Sequence, residues 1–241
     1  MEFILTVIAK PLALLLQLLY SLIGNYGISL IVLTTLIKVA LYPSYKAQIM
    51  SSAGMQELQP KIKDIQNRYA NDKQTMNQKM QELYQEEGVS PTAGCLPMVV
   101  QMIVIMGLFT LLRNPVQFMN SEEMVFAVHE KFLWIEDLAQ PDPWILPIMA
   151  GIATFASFYF QAAGQQTGQS QAMQNVMKIV FPIMIVWLAK SYPAGLAIYW
   201  FMSQFVQIFI NIRLMMLKNK KQQEKEDAKK KKPVRAGKGV K

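Results

Sequence analysis

The chain has one cysteine, Cys95, and one histidine, His129, in 241 residues. A single cysteine excludes an intramolecular disulfide framework and a cysteine-rich metal site. A single histidine leaves no partner for a histidine metal pair or a histidine-dependent triad. Charge is scarce as well: Asp, Glu, Lys and Arg make up 17% of the chain, against about 25% in soluble domains. There is no glycine-rich phosphate loop, no H-E-x-x-H and no nucleophile paired with a base. No internal repeat and no pair of broken helices is visible, which argues against a transporter built on duplicated halves. These absences lead us to expect no enzyme activity, no cofactor and no metal. Any work must draw on a ligand's own free energy, the membrane potential or a partner machine.

Apolar residues fill the space that charge leaves. They make up 52% of the chain and come in long runs, the pattern of a polytopic membrane protein. Residues 2–22 are the least regular run, broken by Lys10, Pro11 and Gln17. On a helical wheel Glu2, Thr6, Lys10, Gln17 and Ser21 share one arc of roughly 100°. That predicts an amphipathic helix lying in the interface over residues 1–24, with a sixth span as the alternative. A signal peptide fits less well, because Glu2 stands where basic residues are needed. Spans are then expected at 27–44, 95–112, about 144–161, about 176–189 and about 195–212. Together they give an all-α, five-helix core over 25–212.

Between the first two spans, residues 45–90 turn polar. Met55, Leu58, Ile62, Ile65 and Tyr69 are spaced 3 and 4 apart, and Met76, Met80 and Leu83 resume the pattern. That stripe predicts two antiparallel helices paired in a hairpin outside the membrane. The segment 213–241 holds 12 of the 24 basic residues and 3 of the 16 acidic ones, a balance of +9 within a chain total of +8. It reads as a solvated basic tail without a core. The hairpin carries six Lys or Arg, whereas the acidic 113–143 loop carries two, Arg113 and Lys131. By the positive-inside rule, hairpin and C-terminus face the cytoplasm and the N-terminus lies outside. Ribosomal RNA and anionic lipid are both expected contacts for so basic a tail.

Lys38, in "LTTLIKVALYP", is the costly residue. It lies on the order of 6 to 9 Å inside the cytoplasmic end of its span. Thr34, Thr35, Tyr42 and Tyr45 fall within about 60° of it on the wheel. Two readings stand. In one, the lysine only snorkels to the headgroups. In the other, it is the cation of a wet groove open to the cytoplasm. Gln101 and Thr110 in the second span, and Tyr199, Ser203, Gln204, Gln207 and Asn211 in the fifth, offer further polar groups. The 17 methionines serve either as apolar filler or as an adaptable surface for varied hydrophobic ligands.

The order of "NYGISLIVLTTLIKVALYPSYKAQIMSSAGMQELQPKIKDIQNRY", "DKQTMNQKMQELYQEEGVSPTAGCLPMVVQM", "WILPIMAGIATF" and "YPAGLAIYWFMSQFVQIFIN" resembles the YidC/Oxa/Alb membrane protein insertases. The likeness covers about Pro11 to Asn211, and the chain looks like the compact form of Gram-positive bacteria. The resemblance implies a multi-pass protein of the bacterial plasma membrane. Its function would be to insert nascent membrane proteins, and help them fold, through a hydrophilic groove open to the cytoplasm. The family's groove cation, usually arginine, falls on Lys38, which keeps the charge and loses the planar fork. A polar groove residue falls on Thr34. The substrate-contacting aromatic falls on Trp200, beside Tyr199. Gln101, Ser203 and Gln204 complete the expected substrate-binding lining. The family's Gln-Met-Pro reads Gln101-Met102-Ile103 here, without the proline. Implied partners are nascent membrane proteins, the lipid bilayer, the ribosome through hairpin and tail, the Sec translocon and the targeting machinery. The alternatives are a small transporter or channel with a cytoplasmic vestibule, and an inert assembly scaffold.

Overall fold

The computed structural model describes residues 2–89, 96–118, 122–164 and 175–231. Cys95, most of the polar loop after the third expected span and the last ten tail residues lie outside them. Among the described residues the regular elements are helices, with one isolated bridge between Phe132 and Ile135. In chain order they are α1 (Glu2–Ile23), α2 (Tyr26–Ala40), α3 (Tyr42–Arg68), α4 (Lys73–Glu86) and α5 (Leu96–Arg113). The short α6 (Pro115–Phe118) and α7 (Glu122–Ala127) follow, then α8 (Ile145–Gly164). A single π-helical turn, Val176–Val180, leads into α9 (Phe181–Ala189), and α10 (Ala194–Lys231) closes the chain.

Only α10, over Ala194–Lys220, is long and apolar enough to cross a membrane alone among the described residues. Tyr26–Ala40 and Tyr42–Ser51 meet that standard together, bent by 47° at Leu41. The bend has a local cause. Pro43 sits in the first turn of α3, where its missing N–H is harmless and its ring blocks continuation of the previous helix. The apolar stretches in α1, α5, α8 and α9 are shorter.

The main core gathers α1, α2, α5 and the start of α10 around Leu16, Leu30, Leu33, Leu108, Leu111 and Tyr199. In α1, Ala9, Leu12, Ala13 and Leu16 face this core. Gly107 of α5 lets α1 approach, since a Cβ there would sit 2.7 Å from Ile8 Cγ2. Leu14, Leu18 and Leu22 point away from the bundle, and Lys10 is exposed. The helix thus has two apolar faces, one on protein and one outward, with the polar arc between them.

The acidic loop folds into a cap over one end of the bundle. Glu130 takes a hydrogen bond from the Tyr20 hydroxyl and another from the Tyr26 backbone N–H at 2.9 Å, tying the end of α1 to the start of α2. Asp142 is buried and accepts from the N–H groups of Trp144 and Leu146 and from Trp134 Nε1. It thereby satisfies donors left open at the start of α8. The first N–H groups of α10 are satisfied by loop carbonyls, Ala194 to Gln140 at 2.9 Å and Gly195 to Leu138 at 3.0 Å. Phe132 lies directly on Gly27, where a Cβ would come within 2.3 Å of the ring.

α3 and α4 fold back on each other at 69–72. Leu58, Ile62 and Leu83 form a small core of their own, flanked by Met55, Ile65, Met80, Tyr84 and Val89. Asp72 caps α4 by accepting from the N–H groups of Gln74 and Thr75 and from the Thr75 hydroxyl. Lys61 and Glu87 pair across the two helices. The hairpin does not begin at residue 45, however. Tyr45 and Ile49 are buried against Ile210 and Leu214 of α10, so the first turns of α3 belong to the bundle.

The boundary expected at residue 212 also falls inside an element. α10 runs without a break to Lys231, and Leu214 is fully buried while Lys218 is nearly so. The physical reason is apolar spacing. Ile210, Leu214 and Leu217 continue the helical stripe past Arg213. Glu226 and Asp227 then stand four residues before Lys230 and Lys231, the favourable orientation for such pairs on a helix.

Candidate functional site

The apolar spans bring their few polar side chains together around Lys38. This lysine is 3% exposed. Its Nζ donates to Tyr45 Oη at 3.1 Å, Gln101 Oε1 at 3.0 Å and Gln207 Oε1 at 3.1 Å. An ammonium has three N–H donors, so the three acceptors match it one for one. They come from α3, α5 and α10, and Lys38 itself from α2. All three are neutral. The hydrogen bonds are met, but no carboxylate balances the charge among the salt bridges of the described residues. A buried cation held in this way is costly, and its charge stays available to an anion that can reach it.

The network extends beyond the first partners. Gln101 Nε2 donates to Tyr199 Oη at 2.8 Å. Gln207 Nε2 donates to Asn211 Oδ1 at 2.9 Å, and Asn211 Nδ2 reaches the Ser157 carbonyl of α8 at 3.3 Å. Lys38 also lies 5.2 Å from the centroid of the Tyr45 ring, a cation–π distance. Side chains of four helices, and a backbone carbonyl of α8, are thus linked around one ammonium group.

The seven residues singled out in the sequence divide unevenly. Lys38, Gln101 and Tyr199 are direct members of the network. Thr34, one turn before Lys38, is buried and spends its hydroxyl on the Leu30 carbonyl at 2.6 Å. Ser203 is buried one turn after Tyr199. Gln204 is half-buried. Trp200 faces α8 instead: its Nε1 donates to Thr154 Oγ1 at 3.0 Å, and its ring lies 6.3 Å from that of Phe181. Thr110 returns its hydroxyl to the Met106 carbonyl and stands outside the network. Tyr45 and Gln207 were legible as polar neighbours and are in fact two of the three ligands of Lys38. Thr154 carried no signal, because a hydroxyl within an apolar span more often bonds to its own helix, and Ser157 none because it takes part through its main-chain carbonyl. Thr154 does so as well, donating to the Ala150 carbonyl.

Outside the bundle, an apolar aromatic surface runs along α8 and α10. Ile148, Ile152, Phe155 and Tyr159 of α8 are exposed, as are Phe205 and Phe209 of α10. Phe201 stacks on Phe205, which meets Phe209 edge to face. In water such a surface would be a liability. Against hydrocarbon, or another apolar helix, it is compatible with its surroundings.

Residues 18–224 match the family model described as the 60Kd inner membrane protein. A membrane protein insertase YidC of Actinobacillus succinogenes is 38% identical over 202 residues, 83% of this chain and 35% of that one. The chain therefore spans about a third of the length of relatives of that kind. Two other insertases named YidC are matched almost end to end. That of Caldanaerobacter subterraneus subsp. tengcongensis is 36% identical over 83% of this chain and 90% of its own. That of Fusobacterium nucleatum is 37% identical over 86% and 95%. A crystal structure described as an active YidC insertase, with its first transmembrane domain resolved, superposes with a TM-score of 0.59 at 26% identity, over 84% of this chain and 45% of that one. With the family match running from α1 into the basic extension of α10, and two relatives paired along nearly their whole length, the chain belongs to the 60Kd inner membrane protein family, that of the YidC insertases.

Proposed function

We propose that the chain is a membrane protein insertase and folding aid of the bacterial plasma membrane, acting on nascent membrane proteins. In this reading α2, α5, α8, α9 and α10 are five crossings, α1 lies in the interface, and the α3–α4 hairpin and the tail face the cytoplasm. The N-terminus is outside. Short helices suit such a bundle, since they thin the bilayer around it. The observation that carries the reading is the buried Lys38, saturated by neutral acceptors and uncompensated in charge.

The mechanism follows from that arrangement. A client's apolar segment slides along the aromatic surface of α8 and α10, with Trp200 at the seam between them. Its polar flank enters between the helices that hold Lys38. An acidic residue in the flank competes with Gln101, Gln207 and Tyr45 for the ammonium and wins, because a carboxylate adds an attraction between opposite charges that a neutral oxygen lacks. Thr34, Tyr199, Ser203 and Gln204 supply further polar groups to the flank. The membrane potential then favours outward movement of negative charge by about 2.3 kcal/mol per charge per 100 mV. Burial of the apolar segment in lipid adds roughly 25 cal/mol per Å².

Crosslinkers placed at positions 38 and 200, with a stalled nascent membrane protein as target, test this. Both positions should capture the client, the first through its flank and the second through its apolar segment. Capture at neither, together with ion flux through the purified protein in liposomes, would move the assignment to a channel.

A further inference from the structure

A second cationic place lies far from Lys38, where α5 ends and the chain turns from α9 into α10. A cavity of about 250 Å³ opens there, lined by Phe109, Leu112, Arg113, Tyr192 and Leu196 together with Ser191 and Pro193. It is smaller than the roughly 300–1,000 Å³ typical of sites for drug-sized ligands. Its lining is divided by chemistry. Leu112, Leu196 and Phe109 form an apolar wall. Arg113 brings a guanidinium, and Ser191 and Tyr192 bring hydroxyl-bearing side chains.

The position of Arg113 is unusual for its surroundings. The adjoining loop carries Glu122, Glu123, Glu130, Glu136, Asp137 and Asp142. Even so, no carboxylate lies within ion-pair distance of Arg113 among the described residues. The guanidinium instead lies 5.6 Å from the centroid of the Phe109 ring, and that ring meets Tyr192 edge to face at 5.2 Å. The same holds for Lys190, the residue before Ser191, whose Nζ sits 3.4 Å from the Trp144 ring centroid. Two cations at one boundary of the bundle therefore rest on aromatic rings. A ring holds a cation by its face without using its N–H donors. Trp144, beneath Lys190, and Trp187, three residues before it, are exposed, and exposed tryptophans of this kind mark headgroup depth.

We infer that this cavity binds the phosphodiester of an anionic phospholipid, with Arg113 as the phosphate ligand and the Leu112–Leu196 wall against the first carbons of an acyl chain. The cavity has room for the phosphate and its neighbouring atoms rather than for a whole lipid. The guanidinium fork suits phosphate oxygens, and the bilayer supplies such a group at this height. Free phosphate has the same oxygens but no chain to cover the apolar wall, so the lipid is the favoured source. This site would hold the cap end of the bundle to one leaflet, independently of any client at Lys38.

The purified full-length protein in detergent, titrated with phosphatidylglycerol and read by native mass spectrometry, tests the inference. One high-occupancy lipid is expected. Arg113→Gln should lower its affinity by about tenfold or more, and Ser191→Trp, which fills the cavity and leaves the cation, should do the same. Lys10→Gln, on an exposed face of α1, should leave it unchanged. Diacylglycerol with the same chains should not compete, and inorganic phosphate should compete only weakly. Equal binding by the wild type and both site variants would overturn the proposal. So would competition by diacylglycerol or by inorganic phosphate as strong as that of the lipid. If Arg113→Gln fails to fold, Ser191→Trp decides alone.

Discussion

Lys38 is held by three neutral oxygens, so its replacements separate charge from packing. Lys38→Arg keeps the charge at a similar depth and should preserve insertion. Lys38→Leu should reduce insertion most for clients whose translocated flank carries Asp or Glu. One attraction at about 4 Å is worth roughly 4 kcal/mol at an effective dielectric near 20, and about 1 kcal/mol in bulk water. A partly wetted path lies between these limits, enough for a rate change of about tenfold or more. Lys38→Glu should be worst, since it repels the same flank. Paired clients differing only in flank charge, inserted by these variants at matched expression, give the answer. Equal losses for acidic and neutral flanks would reduce Lys38 to an anchor. The same residue shows how far sequence can reach. The lysine announced itself by its cost, and Gln101 and Tyr199 could be placed beside it. Tyr45 also fell beside it on the helical wheel, whereas Gln207 was one of several polar residues of the fifth span, and only packing singles it out.

Among the elements, the α3–α4 hairpin is the least supported. Its own core is small, and α4 contributes one buried residue, Leu83. Amide exchange should therefore be faster across α4 and the second half of α3 than in α2 or α10; protection equal to that of the bundle would contradict this. Asp72 adds a pH dependence. The Thr75 hydroxyl and N–H, and then the Gln74 N–H, hold its carboxyl below the ordinary carboxylate value. The cap is therefore at full strength above that ordinary value, and it is lost as pH falls through the lower folded one. Protection of α4, corrected for the intrinsic exchange rate, should drop over that acidic window, and Asp72→Ala should abolish the dependence. At the other end of the bundle, Gly27→Ala forces Phe132 aside and should destabilise the protein by about 1–3 kcal/mol. Phe132→Leu should recover part of the loss in the double mutant, as read by thermal unfolding. A gain in stability from Gly27→Ala alone would show that the cap yields freely. The helices α2, α5, α8, α9 and α10 were legible because each follows a largely apolar run. The cap was not, because its order comes from Glu130, Asp142 and backbone groups whose partners lie far along the chain.

For the whole molecule, the basic tail and the bundle share one helix. Deleting residues 218–241 should weaken co-sedimentation with ribosomes at low salt, since it removes most of the +9 balance of the segment from Arg213. Such contacts weaken steeply with salt. Unchanged binding after the deletion would leave the tail to anionic lipid. Composition alone had suggested a loose tail, since lysines dominate it. The buried Leu214 instead carries the helix of the bundle into it, as far as Lys231 among the described residues.

That continuity has a mechanical side. α10 has 38 residues, which makes it about 57 Å long, close to twice the hydrocarbon thickness of about 30 Å. Its first N–H groups are tied to the cap, and Leu214 is pinned against Tyr45 and Ile49. A twist of the C-terminal half of α10 that overcame the Leu214 contact would turn the stretch that carries Gln207. Side-chain groups stand about 5–6 Å from a helix axis, so a rotation of about 10° moves them by about 1 Å. The Gln207 bond to Lys38 is 3.1 Å long, and a bond stretched to about 3.6 Å no longer counts as one. A turn of about 10° in α10 would thus release one of the three oxygens that hold the Lys38 ammonium.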